Sequence, residues 1–245
     1  MSTDQPWYRS WFDTPYYHML YQHRDHREAR IFIDTLFGFL QPPKDARILD
    51  LACGRGRHAI QMNEKGFDVT GYDLSEQNIE FARQFENPSL HFEVRDMRQN
   101  MGTHEFDLVF NLFTSFGYFK DDSEDLKAMR SIADALQPEG LLVMDFMNVR
   151  KVTLGLVREE TRSVDGIDFR INRKDTGEYI EKCICLKDKG EEMEFFERVK
   201  KLELSDFRSY FNATKLQLLH TFGDFDLRPF DQDESERLIM IAQKK

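Results

Sequence analysis

Short apolar segments alternate with amphipathic segments five times between residues 47 and 148, and this alternation limits the fold more than any other feature. The apolar segments have the length of buried strands, and the segments between them repeat apolar residues at helical spacings. Strands and helices that alternate in this way build a parallel sheet with helices on both faces. The predicted strands are 47–51, 67–72, 90–94, 106–110 and 141–146. The sequence therefore predicts a doubly wound α/β fold.

Three helices are predicted between these strands from apolar periodicity and from residues that cap helix N-termini. The first covers residues 58–65, after a glycine-rich turn. The second begins after Ser75, whose hydroxyl is suited to accept a hydrogen bond from a free backbone N–H. The third begins at a cap formed by Asp122 or Ser123 and ends before Pro138.

The flanking segments predict an N-terminal helical lid and an inserted β meander. Apolar residues between Ala29 and Leu40 recur at spacings of three and four, which places an amphipathic helix within residues 1–43. Residues 155–204 alternate with a period of two and contain turn-forming pairs, as antiparallel strands do. Ser205 is expected to cap a short helix, and two closing strands follow. We therefore expect a single domain over residues 1–245, with the meander as an insertion that covers the active site.

The composition indicates a globular protein whose partner is a small molecule. Hydrophobic residues make up 40% of the 245 residues and charged residues 32%, which supports a packed core under a charged surface. The net charge of −10 repels phosphate backbones and anionic lipids, so it argues against nucleic-acid and membrane partners. No apolar run reaches the ~18 residues of a transmembrane helix, and no secretory signal is visible. With three cysteines, too few for a disulfide framework, the expected location is the cytoplasm.

Two pairs of residues have spacings that metal sites also use. Cys183 and Cys185 share one face of a predicted strand, and His23 and His26 lie three residues apart. Structural zinc sites need four ligands, and neither pair has a second pair in the sequence to complete one. We therefore assign the cysteines to packing and the histidines to a solvated face, and we predict no metal.

The stretch between the first strand and the first helix has the pattern of a nucleoside-binding loop. Gly54 and Gly56 allow a ligand to approach the backbone closely, and the helix that follows offers free N–H groups. Asp73 ends the second strand 19 residues after Gly54 (73 − 54). A carboxylate at that position accepts hydrogen bonds from ribose hydroxyls.

Two cofactor classes fit such a loop. The run from Gly54 to Ala59 matches the looser G-x-G-x-x-A form of the dinucleotide fingerprint. Asp50 precedes the turn, where its carboxylate would repel a pyrophosphate but suits a cation such as the amino or sulfonium group of S-adenosylmethionine. No Tyr-x-x-x-Lys pair occurs in the sequence, so one common hydride-transfer arrangement is missing. The loop by itself leaves both classes open.

Four motifs follow one another at the ends of the predicted strands: DLACGRG (50–56), GYDLS (71–75), RDM (95–97) and FDLVFNLFTSFGY (106–118). In this order they resemble the motifs of class I S-adenosylmethionine-dependent methyltransferases, over about residues 47–148. The resemblance implies a mostly parallel seven-stranded sheet whose last strand is antiparallel, which the two closing strands fit. It also implies S-adenosylmethionine as the cofactor.

The resemblance assigns ten cofactor-binding positions at the ends of the strands. They are Ala52, Cys53, Gly54, Gly56, Asp73, Leu74, Asp96, Met97, Asn111 and Leu112. The four residues of the glycine loop would pass under the methionyl part of the cofactor. The acid after the second strand would hold the ribose, and the leucine beside it would pack on the adenine. The acid and methionine after the third strand would bind the adenine edge, and the last two residues would lie next to the sulfonium.

The N-terminal segment extends the resemblance. Residues 17–25 (YHMLYQHRD) resemble the N-terminal segment of small-molecule N-methyltransferases, including those acting on glycine and on amino sugars. There a tyrosine and an arginine close over the cofactor, which implies that Tyr21 faces the methionyl amine or sulfonium and Arg24 the carboxylate. The meander resembles the active-site cover of the same enzymes. Phe116 and Tyr118 are expected to lie nearest the methyl acceptor.

The resemblance implies methyl transfer to a small molecule, with nitrogen slightly favoured as the acceptor atom. A neutral amine needs no dedicated base, so no catalytic residue is assigned, and Tyr21, Tyr118 and His58 are candidates only. Three alternatives stay open: a non-catalytic sensor of S-adenosylmethionine, an NAD-dependent oxidoreductase and a nucleic-acid base methyltransferase. The last commonly has an Asn/Asp-Pro-Pro-Tyr/Phe edge, and Asn111-Leu-Phe-Thr114 lacks those prolines. The oligomeric state, including a homodimer, is left undecided.

Overall fold

A seven-stranded sheet forms the centre of the computed structural model, which describes residues 6–23 and 26–245. The strands of the protein are β1 (Arg47–Leu51), β2 (Asp68–Asp73), β3 (Leu90–Val94), β4 (Phe106–Asn111), β5 (Leu136–Met147), β6 (Glu159–Val164), β7 (Ile167–Asp175), β8 (Tyr179–Asp188), β9 (Glu191–Lys200), β10 (Leu216–Phe222) and β11 (Arg237–Lys244). The helices are α1 (Trp7–Trp11), α2 (Pro15–Leu20), α3 (His26–Leu40), α4 (Arg57–Glu64), α5 (Glu76–Ala82), α6 (Asp122–Ala135), α7 (Val149–Leu154) and α8 (Leu204–Ala213).

The order and direction of the strands confirm the predicted doubly wound sheet. The order is β10-β11-β5-β4-β1-β2-β3. The five strands from β5 to β3 run parallel, whereas β11 pairs antiparallel with both β5 and β10. From β1 the chain continues to β2 and β3 on one side of the sheet. Strand β4 then lies on the other side of β1, and β5 follows next to β4. The crevice between β1 and β4 is therefore the switch point at which open α/β sheets bind ligands.

The central strands are apolar on both faces because they separate two cores. On β1, the side chain of Ile48 belongs to the core that contains Ile33 of α3. The next side chain, Leu49, belongs to the core that contains Ile132 of α6, since successive strand residues point to opposite faces. This double burial explains the unbroken apolar runs that predicted the strands.

The start of α5 agrees with the prediction, and the start of α6 differs from it. The Ser75 hydroxyl accepts a hydrogen bond from the backbone N–H of Asn78 at 3.0 Å and caps α5. The cap residue of α6 is Asp121, so the predicted caps Asp122 and Ser123 lie inside the first helical turn. There the carboxylate of Asp122 still interacts favourably with the positive end of the helix dipole.

Two other element boundaries also differ from the prediction. Helix α8 is capped by Glu203 and not by Ser205, because Glu203 and Asp206 form a reciprocal capping box. Both members of this box are acids, whereas the usual pattern begins with Ser or Thr. Strand β5 starts earlier than predicted, since Leu136 already pairs with Phe106 before an irregularity in the ladder.

The inserted segment forms a second sheet, with the order β6-β7-β8-β9 and antiparallel pairing throughout, as predicted. Helices α1 and α2 pack on one face of it, where Trp11 and Leu20 contact a cluster that includes Phe169 and Ile184. Helix α3 instead packs against the large sheet. Among the described residues, no helix is both long and apolar enough to cross a membrane.

Lys200, the last residue of β9, anchors the small sheet to the rest of the protein. Its side chain is buried, and its Nζ lies 2.6 Å from carboxylate oxygens of both Asp122 and Asp125. Its backbone N–H donates to the carbonyl of Gly117 at 2.8 Å. The end of the meander is thus tied to the start of α6 and to the loop that follows β4.

Candidate active site

A cavity of about 620 Å³ lies between the carboxyl ends of the parallel strands and helices α1 and α2. Most of the predicted site positions line it: Tyr21, Ala52, Cys53, Gly54, Asp73, Leu74, Asp96, Met97, Leu112 and Tyr118. Gly56, Asn111 and Phe116 lie outside its lining. Arg24 lies outside the described residues. The fold therefore brings together residues that are up to 97 positions apart (118 − 21).

Asp73 links the glycine loop to the end of β2. Its Oδ2 accepts a hydrogen bond from the backbone N–H of Gly54, and its Oδ1 accepts one from the N–H of Ser75, both at 2.8 Å. Burial raises the pKa of this carboxyl, although the N–H donors act in the opposite direction. Each oxygen keeps a further lone pair, so the carboxylate is able to accept ligand hydroxyls without releasing the loop.

The two glycines of the loop have different roles. Gly54 has a φ of +56°, and a Cβ placed on it would meet no atom within 4 Å, so the backbone there borders open cavity space. Gly56 has a φ of +81°, and a Cβ there would lie 2.6 Å from the ring of Phe92. Gly56 is therefore required for the packing of the loop against β3, and it does not line the cavity.

Asp50 is a buried acid at the floor of the cavity. Its Oδ2 accepts a hydrogen bond from the backbone N–H of Ala59 at 3.0 Å, and its side chain is 1% exposed. Burial raises its pKa from 3.8 to about 7. A cation bound beside it would stabilise the ionised form, whereas an anion would destabilise it further.

Asp96 lines the cavity and is also held by Arg98. The guanidinium donates from Nε to Oδ1 of Asp96 at 2.9 Å and from Nη2 to Oδ2 at 2.5 Å. Burial alone would raise the pKa of Asp96, but the hydrogen bonds from Arg98 lower it overall. The carboxylate is thus ionised and fixed in orientation, as an acceptor for a ligand amino group needs to be.

A left-handed turn after β4 contributes Phe113 to the wall of the cavity. Phe113 and Thr114 have φ angles of 65° and 58°, a conformation that costs non-glycine residues about 1–2 kcal/mol each. Asp145 of β5 holds the turn, because its Oδ2 accepts from the N–H of Phe113 at 2.8 Å. Arg237 of β11 donates from Nε to Asp145 Oδ1 at 2.8 Å and from Nη2 to the Thr114 hydroxyl at 3.0 Å. No sequence motif marked Asp145 or Arg237; the one available hint was an acid inside a buried strand.

Asn111, the last residue of β4, connects this turn to β1 through hydrogen bonds. Its Nδ2 donates to the carbonyl of Leu51 at 3.1 Å, across the switch point between β4 and β1. Its Oδ1 is buried and has no hydrogen-bond partner among the described residues. Asn111 therefore joins the ends of two strands behind the cavity, whereas the next residue, Leu112, lines it.

Phe116 and Tyr118 were both expected beside the acceptor, and the structure separates them. The ring of Phe116 is 1% exposed and packs against Phe207 and Tyr210 of α8, so its expected position in the acceptor site is wrong. Tyr118 lines the cavity, 5.0 Å from the ring of Trp7, and donates its hydroxyl to the carbonyl of Thr114. Gly117, with a φ of 76°, reverses the chain between the two rings.

The three candidate bases are poorly suited to remove a proton at neutral pH. Burial raises the pKa of Tyr118 and of Tyr21 well above 10, so both phenols keep their protons. Burial lowers the pKa of His58 well below 6.5, which makes its neutral imidazole a weak base. The site is therefore suited to an acceptor atom that is nucleophilic without losing a proton to the protein.

The wall formed by α1 and α2 includes residues that the motifs did not select. Tyr8, Phe12, Asp13 and His18 line the cavity from this side. Burial, with a contribution from Arg55, lowers the pKa of His18 to about 4, so the imidazole is neutral. The resemblance of residues 17–25 predicted a wall at this side of the cavity but not the roles of these four residues.

Comparisons with known proteins agree on the class of fold. Residues 48–140 match the methyltransferase domain family. YqeM of Bacillus subtilis (strain 168), a methyltransferase by name, is 40% identical over 113 residues, which cover 45% of this chain and 46% of YqeM. The dTDP-3-amino-3,4,6-trideoxy-alpha-D-glucopyranose N,N-dimethyltransferase of Streptomyces venezuelae is 27% identical over 190 residues, 74% of this chain and 79% of that enzyme.

A solved structure extends the similarity to nearly the whole chain. An S-adenosylmethionine-dependent methyltransferase from Clostridium acetobutylicum ATCC 824 superposes with a TM-score of 0.78 at 19% identity. The superposition covers 94% of this chain and 96% of the other, so the two proteins share the fold, including the inserted sheet region. The match to YqeM, by contrast, spans less than half the length of that relative.

Proposed function

Since the chain carries a class I S-adenosylmethionine-dependent methyltransferase domain, we propose that it transfers the methyl group of this cofactor to a nitrogen of a small molecule. The observation that carries the proposal is the Asp73 carboxylate, which lies at the end of β2 beside a glycine loop open to the cavity. A nitrogen acceptor is favoured by the Streptomyces venezuelae relative, whose name describes N,N-dimethylation of an amino sugar nucleotide.

The residues around the cavity fit this cofactor. The acids Asp50, Asp73 and Asp96 line the cavity, and their carboxylates are suited to hold a sulfonium, an amino group and a nucleoside. We assign the ribose to Asp73, the adenine to Leu74, Asp96 and Met97, and the methionyl part to Tyr21, Ala52, Cys53, Gly54 and Leu112. The buried Asp50 disfavours a pyrophosphate, which argues against NAD. Contact between Arg24 and the cofactor carboxylate stays a prediction.

The cofactor supplies a methyl group that is already activated, so the protein mainly aligns the reactants and excludes water. Tyr8, Phe12 and Tyr118 form an aromatic wall over the cavity, and the centre of the Tyr118 ring lies 6.2 Å from that of Tyr8 and 5.8 Å from that of Phe12. Alignment of two bound reactants contributes up to about 7–11 kcal/mol in model reactions. A neutral amine attacks without a base, which agrees with the protonated state of Tyr21 and Tyr118.

Cofactor binding is expected to depend on pH through Asp50. Its carboxyl has a pKa of about 7 and must be ionised to attract the cation. Below this pH, the cation can therefore bind only if Asp50 releases its proton. We expect the affinity for S-adenosylmethionine to fall about tenfold between pH 8 and pH 6. Titration calorimetry across this range measures the change, and Asp50→Asn should flatten the profile. An equally steep profile in the variant would show that another group titrates.

The stability of the ligand-free protein should change with pH in the opposite sense. The folded protein holds the Asp50 proton more tightly than the unfolded chain, so the free energy of unfolding falls as the pH rises from about 4 to about 7. Asp50→Asn removes this penalty and is expected to be more stable than wild type at pH 8. Urea unfolding at pH 5 and pH 8 measures the difference.

Residues 1–43 and 155–204 are proposed to close over the active site as a lid and a cover, joined by Glu197 of β9. Its Oε1 accepts from Trp11 Nε1 at 2.7 Å and from the Tyr21 hydroxyl at 2.9 Å. The Nζ of Lys182 lies 3.1 Å from Oε2. This one carboxylate therefore connects α1, the end of α2 and β8.

Glu197→Gln is expected to loosen the lid, because it leaves the largely buried charge of Lys182 uncompensated. We expect the KM for S-adenosylmethionine to rise by about one order of magnitude, since a lost hydrogen bond to a charged group costs about 1.5–3 kcal/mol. The fluorescence of Trp11 should shift to the red. Glu192→Gln, at an exposed position of the same strand, is the matched control. If the two variants behave alike, Glu197 does not hold the lid.

The proposed reaction is tested by a methyl-transfer screen with radiolabelled S-adenosylmethionine. Pools of primary and secondary amines, alcohols and carboxylates serve as acceptors, and the product is identified by mass. We expect label in amine pools. Label only in hydroxyl or carboxyl pools would contradict the nitrogen acceptor, and tight cofactor binding without transfer to any pool would favour a non-catalytic sensor.

A further inference from the structure

The face of the small sheet that points away from α1 and α2 carries two thiols and a carboxylate side by side. Cys183 and Cys185 flank Ile184 on β8, whose side chain packs on the opposite face against the N-terminal helices. Glu194 of β9 stands directly opposite Cys185 in the antiparallel ladder. The hairpin thus adds a third ligand that the spacing of the two cysteines did not reveal.

The three ligand atoms have the separations that a tetrahedral zinc ion requires. The sulfur atoms of Cys183 and Cys185 are 3.7 Å apart, and Oε1 of Glu194 lies 3.1 Å from the first and 3.8 Å from the second. Zinc bonds of about 2.3 Å to sulfur and 2.0 Å to oxygen place two sulfurs about 3.8 Å apart, and a sulfur and an oxygen about 3.5 Å apart. The cluster therefore matches one face of a coordination tetrahedron.

The surroundings admit an ion from solvent. Both cysteines are half-buried and Glu194 is exposed, so solvent reaches the cluster. Two thiolates and a carboxylate carry one negative charge more than a divalent ion neutralises. Arg170 of β7 pairs with Cys185 on the side opposite to Glu194, which places a cationic residue next to the cluster in the ladder.

We propose that Cys183, Cys185 and Glu194 bind a thiophilic divalent cation such as zinc, with water as the fourth ligand. Binding forms two metal–sulfur bonds and one metal–oxygen bond, and the two thiol protons pass to solvent without any change of oxidation state. The ion would join β8 to β9 on the face opposite to Lys182 and Glu197. The site lies outside the cavity, so it stands independently of the proposed methyl transfer.

Proton release is a necessary part of this binding. Without a metal, burial and the neighbouring carboxylate raise the pKa of Cys183 to about 12, so this thiol is protonated at neutral pH. Affinity should therefore increase with pH, and a weakly buffered solution should acidify as the ion binds.

Titration of the reduced full-length protein with Co²⁺, monitored by absorption, tests the proposal. We expect a sulfur-to-metal charge-transfer band and intense visible bands that saturate at about one ion per chain, and both should disappear on addition of Zn²⁺. Cys183→Ser should abolish the charge-transfer band, and Glu194→Gln should weaken binding at least tenfold. Glu192→Gln, the neighbouring acid on β9, should bind like wild type.

Circular dichroism of each variant shows whether it has kept its fold. A wild-type protein without the charge-transfer band would overturn the proposal. A band of unchanged intensity in Cys183→Ser would overturn it as well, and would point to Cys53, the remaining thiol outside this cluster.

Discussion

Asp73→Ala is expected to weaken the binding of S-adenosylmethionine by about 1–3 kcal/mol, roughly 5- to 150-fold. The substitution leaves ribose hydroxyls without an acceptor inside the cavity. It also frees the N–H groups of Gly54 and Ser75, so the glycine loop loses its tie to β2. Calorimetric titration of the variant, at a pH where Asp50 is ionised, gives the change in affinity.

Asp68→Ala is the matched control for this prediction. Asp68 opens the same strand at its exposed end, away from the cavity. We expect the control to bind the cofactor like wild type. The affinity of Asp73→Asn for the cofactor should lie between those of the two alanine variants, because the amide keeps one acceptor oxygen. Unchanged affinity in Asp73→Ala would contradict the role assigned to this residue.

Asp145→Ala is expected to lower the free energy of unfolding by about 3–5 kcal/mol, the usual cost of removing one member of a buried ion pair. The side chain of Asp145 is 1% exposed, so Arg237 would lose its counter-ion where little water can replace it. The turn at Phe113 and Thr114 would also lose the acceptor that stabilises its left-handed conformation. Urea denaturation measures the loss.

Asp134→Ala serves as the control for this second prediction. Asp134 is an exposed acid on α6, and its replacement should change stability by no more than about 0.5 kcal/mol. A loss below about 1 kcal/mol in Asp145→Ala would show that the turn is held mainly by other contacts. Because the turn borders the cavity, we also expect Asp145→Ala to bind the cofactor more weakly.

The alternating pattern predicted the large sheet correctly because each strand and helix is specified by local periodicity. Asp73 was also predictable from local sequence, because its position depends only on the length of the first βαβ unit. Asp145 and Arg237 contact each other although they lie 92 residues apart in the sequence. Glu197 and Trp11, which also form a hydrogen bond, are 186 residues apart. No local pattern encodes such pairs, since they arise only when separate elements pack.

The two aromatic residues after β4 show a second limit. Phe116 and Tyr118 are alike in character and lie two residues apart, so a strand period would place both on one face. Gly117 breaks that period with its positive φ, and Phe116 turns into the core under α8. The prediction that Ser205 caps α8 was also wrong. The acids Glu203 and Asp206 form the capping box in positions where Ser and Glu are more common.

The most direct test of the central claim is a pair of calorimetric titrations of the wild-type protein at pH 8, one with S-adenosylhomocysteine and one with NAD. We predict saturable binding of about one S-adenosylhomocysteine per chain in the micromolar range, and no heat of binding from NAD. Tight binding of NAD, with no response to S-adenosylhomocysteine, would contradict the assignment of this cavity to S-adenosylmethionine.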